Sequence, residues 1–134
     1  MTYFLDTNII SYLIKGDKAL KAKIALKLSQ GDFIRIPRIA YYEIERGLLA
    51  RGAVAKLKRF MNLVELLGTV SLTDNTLEIA AEIYADLSQK GQVIEDDDIF
   101  IGATALEHNA VLVTNNIKHL SRLQGIQLEN WAVQ

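Results

Sequence analysis

Cysteine is absent from this sequence of 134 residues, and proline occurs once. Without cysteine the chain has neither a disulfide framework nor a thiolate metal site. Half of the residues are apolar, which is typical of a globular chain and not of a disordered one. No apolar run approaches the roughly 18 residues of a membrane span, and the start lacks the features of a signal peptide. We therefore expect a single domain over residues 1–134, in the cytoplasm and without a membrane partner.

Acidic residues are scarce in the first part of the chain, and basic residues are scarce in the second. Residues 1–59 contain 12 Lys and Arg against 5 Asp and Glu, a net charge of +7; residues 60–134 contain 3 against 11, a net charge of -8. A basic region can attract a polyanion, and an acidic cluster can hold a cation. Solvated helix faces are the favoured explanation for most of the lysines, so the asymmetry alone identifies no partner.

Short apolar runs alternate with amphipathic stretches along the chain. This order predicts a parallel α/β/α sandwich. The predicted strands cover residues 3–5, 33–36, 68–72 and 110–113, with a possible edge strand at 126–128. The predicted helices follow residue 8 and cover about 17–29, 37–51, 53–67, 75–90 and 99–107. Pro37 is expected in a first turn. Thr73-Asp74-Asn75 is expected to supply the cap of the helix that follows, with Glu78 three positions after Asn75.

The first predicted strand stops at a carboxylate, in Tyr3-Phe4-Leu5-Asp6-Thr7-Asn8. A strand that ends at Asp6 places its side chain at the carboxyl edge of the sheet, where ligand sites form in open α/β folds. Thr7 and Asn8 can cap the next helix and brace the carboxylate. A purely structural helix cap at Asp6 is the alternative interpretation.

Glu43 is a carboxylate on a helix face that otherwise carries small and apolar residues. Ile39 and Ala40 lie one turn before it, and Gly47 lies one turn after it. A carboxylate on such a face needs a partner or a cation. An ion pair with Arg46 or a nearby lysine is the alternative.

Three adjacent aspartates, Asp96, Asp97 and Asp98, precede a predicted helix that is rich in small and apolar residues. The helix dipole favours acids in this position. Asp98 lies three residues before Ile101-Gly102-Ala103, beside the most tightly packed part of that helix. A solvated helix start is the alternative, and it applies best to Asp96 and Asp97.

Thr114-Asn115-Asn116 follows a buried strand, which places polar groups at the same sheet edge as Asp6. An ordinary turn is the alternative. His108 and His119 lack ligand spacing, and we expect them to be structural or exposed. Oxygen donors without cysteine or paired histidine suit Mg²⁺ or Mn²⁺, and such a cluster can hold one or two ions over a phosphodiester.

Four segments together resemble one known family: Phe4-Leu5-Asp6-Thr7-Asn8, residues 42–47, residues 98–105 and Leu112-Val113-Thr114-Asn115-Asn116. In this order and at these spacings they resemble the PIN-domain ribonucleases, in particular the VapC-type toxins of bacterial toxin–antitoxin pairs. The resemblance covers nearly the whole chain. It implies a PIN-like three-layer α/β/α sandwich with a central parallel sheet of four to five strands.

The resemblance also assigns site residues. It implies that Asp6, Glu43 and Asp98 bind the metal, that Asn116 completes the catalytic set, and that Thr7 orients Asp6. Supporting roles fall to the neighbouring polar residues Asn8, Asn115, Asp96 and Asp97. The family often has an aspartate where this chain has Asn116, which puts a second ion in question, and usually an alanine at the position of Gly102.

The activity that the resemblance implies is cleavage of RNA, often tRNA, with Mg²⁺ or Mn²⁺. It implies an antitoxin that blocks the site, and a homodimer. The segment at 113–116 and the terminal Glu129-Asn130-Trp131 resemble the branch that cleaves initiator tRNA. Lys15, Arg38 and Arg46 are candidate contacts to the RNA backbone.

Two other functions stay open at this point. The chain can be a catalytically weak PIN module that acts with a DNA-binding antitoxin as a transcriptional co-repressor, and Asn116 favours that alternative. It can also be a phospho-acceptor domain with Asp6 as the nucleophile. Such domains usually carry a late lysine after a strand, and Lys118 is the only nearby candidate.

Overall fold

The computed structural model describes residues 1–132, in which strands and helices alternate. The strands are β1 (Thr2–Leu5), β2 (Phe33–Pro37), β3 (Thr69–Val70), β4 (Val111–Val113) and β5 (Gln127–Glu129). The helices are α1 (Thr7–Ile14), α2 (Lys18–Ser29), α3 (Arg38–Ala50), α4 (Val54–Leu67), α5 (Asp74–Gln89), α6 (Asp96–Glu107) and α7 (Ile117–Leu120).

All five strands are parallel and lie in the order β3-β2-β1-β4-β5. Strand β1 is central, with Tyr3 opposite Ile34 of β2 and Val111 of β4. Buried apolar residues run almost without interruption along β1 and β4, as expected where helices cover both faces of a parallel sheet. The predicted α/β/α sandwich, with its parallel sheet of four to five strands, is confirmed.

The strand order reverses beside β1, and this reversal positions the site. The chain passes from β1 through β2 to β3 on one side and then returns to β4 on the other. A crevice opens at the carboxyl ends of strands at such a switch point. Leu5 is opposite Val113, and the backbone N–H of Asp6 donates to the Val113 carbonyl at 2.9 Å. Asp6 and Thr114 are therefore neighbours across the sheet edge.

Some element boundaries differ from the sequence-based predictions. Pro37 is the last residue of β2 and the N-cap of α3, so it lies directly before the first turn of that helix and not in it. Helix α6 begins at Asp96 and not at Ile99, so the aspartates form its first turn. Strand β3 is shorter than predicted, and the short helix α7 was not predicted.

The cap of α5 comes from the predicted stretch Thr73-Asp74-Asn75, but the pair of Asn75 and Glu78 does not form it. Thr73 is the N-cap and forms a capping box with Thr76. The Glu107 carboxylate at the end of α6 accepts hydrogen bonds from the Thr73 hydroxyl at 2.8 Å, the Asn75 amide at 3.2 Å and the Thr76 hydroxyl. These donors lower the pKa of Glu107 and join the two helices.

Close packing explains the glycine at position 102. Gly102 is buried in α6, and a Cβ built at this position would collide with the side chain of Leu123, which is itself 3% exposed. The missing side chain lets the segment after α7 approach α6 closely. Among residues 1–132, no helix combines the length and apolar character that a bilayer crossing requires.

Candidate active site

Asp6 is the buried centre of the site. It is 2% exposed and lies directly between β1 and α1. Its Oδ1 accepts the backbone N–H of Thr7 at 2.8 Å, and its Oδ2 accepts the Asn8 side-chain amide at 3.1 Å and the Thr114 hydroxyl at 2.6 Å. Three neutral donors therefore fix the orientation of this carboxylate, and Asp6 caps α1 at the same time.

Thr114 lies at the predicted sheet edge, but the sequence analysis assigned it no role of its own. It is fully buried, and its Oγ1 accepts the backbone N–H of Asn116 at 2.9 Å while its hydroxyl donates to Asp6. The hydroxyl is thus held between an acceptor and a donor. In the sequence, Thr114 is recognisable as a hydroxyl residue directly after a buried strand. Its contact with Asp6 depends on the pairing of β4 with β1.

Glu43 extends from α3 towards α1. The Thr7 hydroxyl donates to its Oε1 at 2.7 Å. Burial raises the pKa of Glu43 to about 7; the Thr7 hydrogen bond opposes this shift, and the neighbouring Asp97 and Asp6 add to it. The predicted alternative of an ion pair with Arg46 is not seen, because Arg46 lies 3.9 Å from Asp97 instead.

Asp98 lies in the first turn of α6. Burial, together with the negative charge of Asp6, raises its pKa to about 6, although His119 opposes the shift. The Asn116 side-chain amide donates to Asp98 Oδ2 at 3.3 Å. Asn116 therefore contacts the third acid without adding a charge of its own.

One cavity of about 390 Å³ brings together Asp6, Glu43 and Asp98, and Thr7 and Asn8 line it as well. The structure thus gathers, at the switch point of the sheet, acids that lie 37 and 55 positions apart in the sequence. Each comes from a different element: the end of β1, the middle of α3 and the start of α6.

The other candidate residues lie around this cavity. The Asn115 backbone N–H donates to Asn8 Oδ1 at 2.9 Å, and its side chain donates to the Tyr12 hydroxyl at 3.0 Å. Asp97 is beside Glu43, as its influence on the pKa of Glu43 shows. Asp96 is exposed and lines a separate depression with His119, so the structure does not bring it to the cavity.

The donor set fits a hard divalent cation. Within residues 1–132, no three Asp, Glu or His side chains are already arranged as a metal cage. However, Asp6, Glu43 and Asp98 offer only oxygen donors, which suit Mg²⁺ or Mn²⁺. None of them has a Lys or Arg partner within 4.0 Å in the described part of the chain, so a cation between them would offset their repulsion.

Comparison with known proteins gives a family match over most of the chain. The PIN domain model matches residues 3–125. Ribonuclease VapC2 of Rickettsia felis is 31% identical over 135 residues, covering 98% of each chain. The chain therefore belongs to the PIN-domain family.

The more specific resemblance is also confirmed. A solved structure of VapBC2 from Rickettsia felis bound to a DNA fragment from its promoter aligns with a TM-score of 0.87 at 31% identity, covering 98% of this chain and 99% of that one. A tRNA(fMet)-specific endonuclease VapC of Salmonella typhimurium is 27% identical, covering 98% of each chain. Within the PIN-domain family, the chain is of the VapC type.

Proposed function

We propose that this chain is a metal-dependent endoribonuclease, and that it acts as the toxin of a toxin–antitoxin pair. The observation that carries the proposal is the cavity in which Asp6, Glu43 and Asp98 meet at the switch point of the sheet. Relatives of similar length are named ribonucleases, which supports the reaction class.

The roles of the side chains follow from their contacts. Asp6, Glu43 and Asp98 would hold the cation through their oxygens. A bound divalent cation would supply charge neutralisation at the phosphodiester and ease the ionisation of water. Thr7 positions two acids at once, since its backbone N–H binds Asp6 and its hydroxyl binds Glu43. Asn116 orients Asp98.

The proposed substrate is tRNA, and its cleavage would inhibit translation. The support is the Salmonella relative, whose name specifies tRNA(fMet), together with the resemblance at residues 113–116 and 129–131. In this chain those two segments are joined, because the Asn130 amide donates to Asn115 Oδ1 at 3.0 Å.

The proposed protein partner is an antitoxin, as in the solved VapBC complexes. Between α1, α2 and α4 lies a groove of about 450 Å³ that offers such a partner an apolar surface. Its apolar lining is Leu13, Ile14, Ile24, Ala25, Leu28, Leu63 and Leu66. An amphipathic helix would fit a groove of this kind. Leu66→Glu, at a side chain that is 66% exposed, should leave the fold intact and prevent neutralisation by the antitoxin.

A homodimer is proposed from two exposed apolar pairs. Tyr42 and Leu49 on α3 are 54% and 60% exposed, and Leu77 and Tyr84 on α5 are 47% and 49% exposed. In each pair the residues lie seven positions apart and so share a helix face. Sedimentation analysis should give twice the chain mass, and a single chain mass at all concentrations would contradict the proposal.

The nuclease proposal is tested with purified protein and total tRNA, with and without Mg²⁺. Asp6→Asn should reduce cleavage by more than about 100-fold, because changes around a metal's ligands already cost about 10- to 100-fold. Asp74→Asn, an exposed acid in the first turn of α5, is the matched control. Cleavage by Asp6→Asn at the wild-type rate would refute the site.

The alternative function is a catalytically weak module that acts with a DNA-binding antitoxin as a co-repressor. The amide at Asn116 favours it, because the position contributes no charge. Calorimetric titration with Mn²⁺ separates the two functions. Tight binding that is lost in Asp98→Asn supports the nuclease, and weak binding that Asp98→Asn leaves unchanged supports the module.

A further inference from the structure

The cavity that contains the three acids also has a basic end. Its lining includes Lys15, Arg51 and Lys56 as well as Asp6 and Glu43. The basic residues come from three places in the fold: the end of α1, the end of α3 and the first turn of α4. The fold therefore gathers both charge types in one concave site.

These three cations form no ion pair with any of the described residues. Within residues 1–132, no Asp or Glu lies within 4.0 Å of Lys15, Arg51 or Lys56. All three side chains are exposed at the cavity rim. The three cations are therefore available to an anion that enters the cavity.

Gly47 leaves room for one of these cations. It lines the cavity one turn after Glu43, and a Cβ built on it would lie 3.4 Å from Arg51 Nη1. The guanidinium thus folds back over α3 towards the acids. By contrast, two arginines that the sequence suggested for RNA binding have other contacts. The guanidinium carbon of Arg38 lies 3.9 Å from the centre of the Tyr41 ring, and Arg46 lies near Asp97.

We infer that Lys15, Arg51 and Lys56 form a subsite for a backbone phosphate of the RNA, next to the phosphate held at the acidic end. This inference rests on the proposed function. A polyanionic strand presents phosphates at regular intervals, so one strand can occupy both ends of the cavity. Contacts of this kind fix the register of the strand without reading its sequence.

Binding is measured separately from cleavage. In an Asp6→Asn background with Mg²⁺, anisotropy of fluorescein-labelled total tRNA is followed against salt concentration. The double substitution Lys15→Gln with Lys56→Gln should reduce the slope of log K against log salt by about 0.7, the value for one lost phosphate contact. Extrapolated over the decade from 1 M to 0.1 M salt, that is about 5-fold weaker binding at 0.1 M.

The matched control is Lys18→Gln with Lys58→Gln, which removes the same charge. Lys58 is two residues from Lys56 on α4, and residues at that spacing point to different helix faces. Arg51→Gln alone should reduce the slope by less than about 0.7, because Lys15 and Lys56 still contact the phosphate. In the cleaving enzyme, the Lys15 and Lys56 double variant should raise KM while kcat stays near the wild-type value.

The outcomes separate this inference from the proposed function. If the wild type cleaves tRNA and the two double variants bind equally well, the subsite is refuted and the nuclease stands. If the Lys15 and Lys56 variant binds selectively more weakly although the wild type never cleaves, the subsite is supported and the nuclease is refuted. Absence of any tRNA binding refutes both.

Discussion

Replacing Thr114 by valine tests the network that holds Asp6. Valine keeps the shape of threonine but removes the hydroxyl that donates to Asp6 at 2.6 Å and accepts from the Asn116 N–H at 2.9 Å. Because Thr114 and Asp6 are both buried, water cannot replace the contact between them. The expected result is a less stable protein with a less well-positioned carboxylate.

The magnitude follows from the two lost contacts. A hydrogen bond to a charged group contributes about 1.5–3 kcal/mol, and a partly exposed N–H left without a partner adds about 1 kcal/mol or less. The free energy of unfolding should therefore fall by about 2–4 kcal/mol. With a urea dependence of about 2 kcal/mol per molar for a small domain, the midpoint falls by about 1–2 M.

Two controls isolate the contact with Asp6. Thr114→Ser keeps the hydroxyl and loses a buried methyl group, so it should cost about 1 kcal/mol. Thr104→Val removes another buried hydroxyl, which donates to the Phe100 carbonyl within α6, and should cost about 1 kcal/mol or less. Thr114→Val should also weaken Mn²⁺ binding by about 10- to 100-fold, as other changes next to metal ligands do. A urea midpoint equal to that of Thr104→Val would refute the reasoning.

Three further predictions concern charge and packing. Burial raises the pKa of Glu43 to about 7 and that of Asp98 to about 6, so the folded protein favours the protonated carboxyls. Without metal, the free energy of unfolding of wild type relative to Glu43→Gln should therefore fall as the pH rises from 4.5 to about 7. Urea titrations across this range check the sign, and a flat difference would contradict it. Gly102→Ala should lower the free energy of unfolding by about 1–3 kcal/mol through overpacking. Gly47→Ala should raise it by up to about 1 kcal/mol through helix propensity. Equal urea midpoints of the two variants would contradict this contrast. Glu107→Gln should lower the melting temperature more at pH 7 than at pH 3. The three donors to Glu107 lower the pKa of its carboxyl and stabilise the ionised form, and this contribution disappears as the pH falls. An equal loss at both pH values would count against this prediction.

Local patterns in the sequence account for most of the fold. Strands β1 and β4 and helices α4 and α5 are predicted correctly, because their apolar runs and helical spacing are visible within a few residues. The errors lie mainly at element boundaries. Within the predicted capping stretch of α5, the sequence does not show which residue is the N-cap, nor that Thr73 and Asn75 both donate to Glu107 of α6.

The predictable part of the site consists of residues that break a local pattern. Asp6 stops a strand, Glu43 interrupts an apolar helix face, and Asp98 belongs to an acidic run. Thr114 breaks no pattern, since a hydroxyl after a strand is common. Its role depends on the register between β1 and β4, which joins residues more than 100 positions apart, and no local pattern carries that information.

The kind of donor around each acid separates a metal site from a network of structural ion pairs. Asp6 is held by an amide N–H, a side-chain amide and a hydroxyl; Glu43 by the hydroxyl of Thr7; Asp98 by the amide of Asn116. Neutral donors fix a carboxylate in place but cancel none of its charge. A lysine or arginine in the same position would neutralise the acid and compete with a cation. Among the described residues, the cations of the cavity form no ion pair with these acids, so the negative charge of the three acids stays available to a divalent ion.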